Sequence, residues 1–63
     1  MTGKDVVRIM RKNGWILDRT TGSHHVMVKE NLRSVPVPVH GNTDLGNLAQ
    51  RILKQAGIES PGR

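Results

Sequence analysis

The sequence predicts an α+β domain in the order α-β-β-β-α, a three-stranded antiparallel sheet with two helices on one face. Three observations predict it. A capped segment with helical apolar spacing opens the chain, a second closes it, and short runs of strand-forming residues joined by turn chemistry lie between them. An antiparallel meander with one wet face needs its other face covered, and a helix from each end of the chain does so economically.

The first helix is expected from about Thr2 to Asn13. Thr2 and Asp5 stand in the spacing of a capping box, in which hydroxyl and carboxylate satisfy early amide donors. Val6, Val7, Ile9 and Met10 supply the apolar stripe, and Gly14 follows where a helix end needs a left-handed residue. Lys4, Arg8, Arg11 and Lys12 recur at intervals of three and four on the other face. Trp15–Thr20 suits a first strand, Thr20–Ser23 a turn, and His24–Lys29 a second strand. Glu30–Arg33 makes another turn before a third strand, Ser34–Val39. There Val35, Val37 and Val39 share one face and alternate with Pro36 and Pro38. Prolines cannot donate to a ladder, so this strand belongs at a sheet edge.

In the last helix Leu45, Leu48, Ala49, Ile52, Leu53 and Ala56 fall on one face and read as core. Asn47 with Gln50 three residues on makes a capping pair, which leaves His40–Gly46 as a loop. Gly57 is placed as the residue just past the helix, with Ile58 positioned for the accompanying apolar contact. The expected organisation is one domain over 1–58 with a frayed tail at 59–63.

The chain has 63 residues and no cysteine. At this length folding hides only about 60% of the surface an unfolded chain exposes, so stability is marginal. Disulfides and thiolate zinc sites are excluded, and cysteine-free composition fits a reducing compartment. No apolar run approaches the roughly 20 residues that cross a bilayer. The first helix is charged and lacks the apolar region of a secretory signal. The expectation is a soluble, cytoplasmic domain with no membrane partner. Ten Lys+Arg against five Asp+Glu give a net charge of +5 and a pI near 10.9. Such a field attracts polyanions, either nucleic acid or an acidic protein.

Histidines are the residues with chemistry to offer. His24 and His25 are neighbours on a strand, so their side chains project to opposite faces and cannot chelate one metal together. His25 shares parity with Met27, and His24 with Val26 and Val28, so alternation alone does not say which faces the core. His40 ends the third strand, and a zinc site built from His24 and His40 has only Asp44 nearby as a further ligand, short of what such sites need. Trp15, the sole aromatic, could stack a base, although a tryptophan at a helix–strand junction is more often core.

Four segments in this order carry a resemblance: Asn13-Gly14-Trp15, Gly22-Ser23-His24-His25, Val35-Pro36-Val37-Pro38-Val39-His40 and Arg51-Ile52-Leu53-Lys54-Gln55-Ala56-Gly57. Together they resemble the HicA family, the toxins of HicA–HicB toxin–antitoxin systems, over essentially the whole chain to Ile58. The resemblance implies a fold like the double-stranded RNA-binding domain and a ribonuclease that cleaves mRNA without metal or other cofactor. It also implies a HicB-like antitoxin as partner. The family's essential histidine lies in a Gly-Ser-His motif that maps to His24, whereas relatives reading Gly-Ser-x-His point to His25. Relatives often carry Gly-Thr-Leu and further lysines before the last helix, where this chain has Gly46-Asn47-Leu48.

The implied chemistry is simple, because RNA carries its own nucleophile. A histidine near its ordinary pKa of about 6.5 suits removal of a 2′-OH proton. Gly22 would let a phosphate approach the backbone, Ser23 could donate to it, and nearby cations would stabilise the charge that develops on phosphorus. Lys4, Arg8, Arg11, Lys12, Arg19 and Lys54 are the candidate RNA contacts, and His40 is a candidate proton donor to the leaving oxygen. Two readings from other classes stand beside the enzyme: a non-catalytic RNA-binding module, and a protein-interaction subunit that binds an acidic partner.

Overall fold

A computed structural model describes residues 1–58, and its elements follow the predicted order: α1 (Gly3–Lys12), β1 (Ile16–Thr21), β2 (His24–Val28), β3 (Val35–Pro38) and α2 (Asn47–Gln55). The expected tail at 59–63 lies outside the described residues.

The capping box forms as the sequence requires. Thr2 is the N-cap; its hydroxyl accepts from the Asp5 amide at 3.2 Å, and the Asp5 carboxylate accepts from the Thr2 amide at 2.9 Å. At the other end Gly14 adopts φ +94°, which allows its amide to reach Arg11 O and the Trp15 amide to reach Met10 O, at 3.2 and 3.0 Å. This paired closure satisfies carbonyls a helix end would otherwise leave orphaned. Lys29 adds a cation there, its Nζ donating to Asn13 O at 2.7 Å.

The sheet has the order β1-β2-β3, both pairs antiparallel. β3 is therefore an edge, as its prolines demand. The Val39 amide donates to Ser23 O at 2.7 Å. By alternation Val35 and Val37 also face β2 with their amides, and the two positions that face away are Pro36 and Pro38, which have none to offer. The strand is shorter than Ser34–Val39. In β1 the register shifts between Leu17 and Arg19, a bulge that leaves Asp18 without a Cα partner in β2. That strand begins one residue later than expected and continues through Thr21, so Trp15 precedes it and packs in the core at 2% exposure.

α2 starts differently from the sequence expectation. Asn47 is the first helical residue rather than the cap. The N-cap is Gly46, with φ +59° and no side-chain cap bond, because the preceding loop turns into the helix through a conformation that suits glycine. Asp44 supports that turn by accepting from the Gly46 amide at 3.2 Å. Leu48, assigned to the apolar stripe, is 43% exposed, since it lies in the first turn beyond the edge of the core. The C-terminus closes as predicted: Gly57 at φ +75° bonds Lys54 O, Ile58 N bonds Leu53 O, and the Ile58 side chain packs on the core.

Both helices cover the same sheet face. Val6 and Met10 from α1, Ala49, Ile52 and Leu53 from α2, and Met27, Val35 and Val37 from the sheet form one buried cluster with Trp15. Val26, on the opposite face, is buried at 8% yet stands outside that cluster.

Two predictions follow from the seating of α1. Gly3 is buried, and a Cβ there would lie 2.2 Å from Pro38 O and 2.9 Å from Val39 Cα, both backbone atoms. Gly3→Ala is expected to force the helix off the sheet and cost about 1–3 kcal/mol in urea unfolding, the usual range for overpacking. The Asp5 carboxyl is held below its ordinary value of 3.8, chiefly by the Thr2 backbone amide and then by the Thr2 side chain. A depressed carboxylate contributes stability that is complete above its ordinary pKa and is lost as pH falls through the folded-state value. Thermal stability of the wild type should therefore decline below pH 3.8, and Asp5→Asn should be less stable at neutral pH with a flatter decline in acid.

Candidate functional site

The tight connection between β1 and β2 places the candidate motif. Thr21 and His24 pair across a two-residue turn, Gly22-Ser23, in which Gly22 takes φ +59°. A Cβ built on Gly22 meets no atom within 4 Å, so the backbone there is open to approach from outside. His24 is exposed and lies between Thr21 and Pro38 in the register. Its face is the one without helices. Arg19 shares that face, opposite Val26, but its guanidinium is tied to Asp18 Oδ2 at 2.6 Å. His40 follows β3 by two residues and is exposed.

His25 stands on the other side. With Met27 it faces the helices, and it is half-buried beneath α1. It lines a pocket of about 360 Å³ together with Lys4, Val7, Arg8, Arg11 and Val39. The helical spacing explains the cations: positions 4, 7, 8 and 11 form one stripe, and this stripe runs along the border between α1 and the sheet. Arg8 has one acidic neighbour, Asp5, at 3.4 Å. No ion pair engages Lys4 or Arg11 among the described residues. The Nδ1 atom of His25 is buried and has no hydrogen-bond partner among the described residues.

The structure thus gathers Lys4, Arg8 and Arg11 with His25 and leaves Gly22, Ser23, His24 and Arg19 at the strand end and on the opposite face. Lys12 is exposed on α1 and does not line the pocket, and Lys54 is exposed in the last turn of α2. Val7 and Val39, the apolar walls of the pocket, had no place among the sequence candidates; the i, i+3, i+4 spacing from Lys4 to Val7 and Arg8 was the signal for the first. Trp15 is core rather than a stacking platform, although its indole Nε1 is buried without a partner among the described residues. Among the described residues no three histidine or acidic side chains come together as a metal site, and no helix is long and apolar enough to cross a membrane.

Comparison with known proteins converges on one family. The family model described as HicA toxin of bacterial toxin–antitoxin matches residues 3–58. A solved structure described as a toxin–antitoxin complex from Streptococcus pneumoniae contains a chain 36% identical to this one, with a TM-score of 0.78, covering 92% of this chain and 98% of that chain. A search of curated proteins finds no match.

The opposite placement of the two histidines makes their substitutions distinguishable by stability alone. His24→Ala removes an exposed ring and should unfold within about 0.5 kcal/mol of wild type, whereas His25→Ala, under α1, should be destabilised by about 1 kcal/mol or more in urea unfolding. Equal stability of the two variants would contradict the burial difference.

Proposed function

This chain belongs to the HicA toxin family, and from that premise we propose that it is the toxin of a type II toxin–antitoxin pair, an endoribonuclease that cleaves mRNA with His24 as general base. The observation that carries the reading is access. His24 is exposed beside a two-residue turn whose glycine leaves the backbone clear, so a polymer can lie across it without displacing the core. The match of Gly22-Ser23-His24 to the family motif points to the same residue.

In the proposed reaction His24 takes the proton of a ribose 2′-OH. The freed oxygen attacks the adjacent phosphorus, the P–O5′ bond breaks, and the products are a 2′,3′-cyclic phosphate and a 5′-OH. His40 is the proposed proton donor to the departing 5′ oxygen, and Ser23, next to His24 in the chain, and Arg19, on the same sheet face, are the proposed polar contacts to the attacked phosphate. Arg19 would have to exchange Asp18 for phosphate, a modest cost because exposed ion pairs are weak. A second reading assigns the base to His25, and it rests on the cations that surround that residue.

The partner in this reading is a HicB-like antitoxin that covers His24 and part of the basic surface. Binding the folded toxin alone would also stabilise a small domain by mass action.

Cleavage assays in excess EDTA test the assignment. His24→Ala should lose about 10²–10⁴ in rate, the usual contribution of a general base, while it still binds RNA through lysine and arginine. A folded, active His24→Ala alongside a folded, inactive His25→Ala would move the base to His25, and activity in both would end histidine catalysis here. The RNA affinity of His24→Ala should fall steeply with salt, and each contacting cation removed should lower the slope by about 1. Affinity indifferent to salt would leave the protein-interaction reading instead.

A further inference from the structure

We propose that the pocket between α1 and the β2–β3 part of the sheet is a subsite for one nucleotide of a single-stranded RNA, separate from the histidine that performs the chemistry. The inference deepens the ribonuclease reading and rests on it for the identity of the polymer. Three features define the ligand class. Lys4, Arg8 and Arg11 line the pocket, and among the described residues the first and last have no ion pair, so the charge is available to an anion. Val7 and Val39 line the pocket as well, and a bare phosphate has no use for an apolar wall. His25 also lines the pocket, and the face of an imidazole can stack a base. At about 360 Å³ the space lies within the range of small-molecule sites rather than that of a simple ion cradle.

Position also constrains the polymer. His24 and His25 are consecutive, yet their side chains lie on opposite faces of β2. A strand with its scissile group at His24 reaches the pocket only by bending around the end of the sheet near Ser23 and Val39. A rigid duplex cannot follow that path, and a single strand can. A flanking nucleotide held under α1 would anchor the strand while its neighbour reacts.

The test uses ligands with no scissile bond. Backbone amide NMR spectra of the folded protein are followed while adenosine 5′-monophosphate, inorganic phosphate, adenosine or a glutamate-rich peptide is added. The nucleotide is expected to shift Lys4, Val7, Arg8, Arg11, His25 and Val39 selectively and to bind about tenfold or more tightly than phosphate or adenosine alone. Arg11→Gln, an exposed change, should weaken the nucleotide by about tenfold, the size of a lost charge-assisted hydrogen bond. Adenosine binding should change little in that variant. Equal affinity for phosphate and nucleotide would overturn the proposal, as would shifts spread evenly over Lys12, Arg51 and Lys54. Tighter binding of the glutamate-rich peptide would also overturn it and make the pocket a docking point for an acidic partner. Because no bond is cleaved, this result stands apart from the fate of His24→Ala in the cleavage assay.

Discussion

The close approach of the α1 backbone to the end of β3 is the constraint on which the arrangement depends. At Gly3 no side chain separates helix from strand, and Pro38 O occupies the volume where a Cβ would be. The capping box one residue earlier fixes the direction in which the helix leaves that contact. Together they set which face of α1 lies against the sheet and carry Lys4, Arg8 and Arg11 to the rim above His25. Had the helix stood off by the width of a methyl group, Val6 and Met10 would lose their fit to Met27, Val35 and Val37, and the basic stripe would face solvent alone.

The two candidate histidines lie on two sides of one strand. Alternation sends His24 to the open face and His25 beneath a helix, so accessibility and positive charge are not found at the same histidine. In the ribonuclease reading proposed above, this separation would let one side present the reacting group to a long polymer while the other supplies an electrostatic hold away from the chemistry. The net charge of +5 then has a direction, because three of the four α1 cations, Lys4, Arg8 and Arg11, line a single pocket.

Much of the fold was legible because local rules coincided with tertiary ones. Thr2 and Asp5, the glycines at 14 and 57, and the alternation of valine with proline in β3 each act through neighbours a few residues away. The start of α2 was not legible. Asn47 and Gln50 have capping chemistry, but Gly46 takes a positive φ that hands the cap position to a residue without a side chain. Leu48 was misplaced for a related reason: periodicity says which side of a helix is apolar, not where the core beneath it ends. In the site, strand parity separated the histidines without saying which side the helices would cover. Only the packing of α1 through Gly3, a contact between residues far apart in sequence, decides that.

The prolines of β3 give the sheet a handed boundary. One margin has carbonyls but no amides at the positions that face outward, and the other, β1, keeps its donors on a bulged strand. Association through strand pairing is therefore confined to a single margin per molecule. Two such molecules meeting at β1 would exhaust their bonding edges and close as a pair, whereas a growing fibril needs two receptive edges on every member. In a protein this small, two ring-closed residues are enough to leave one sheet margin without outward donors.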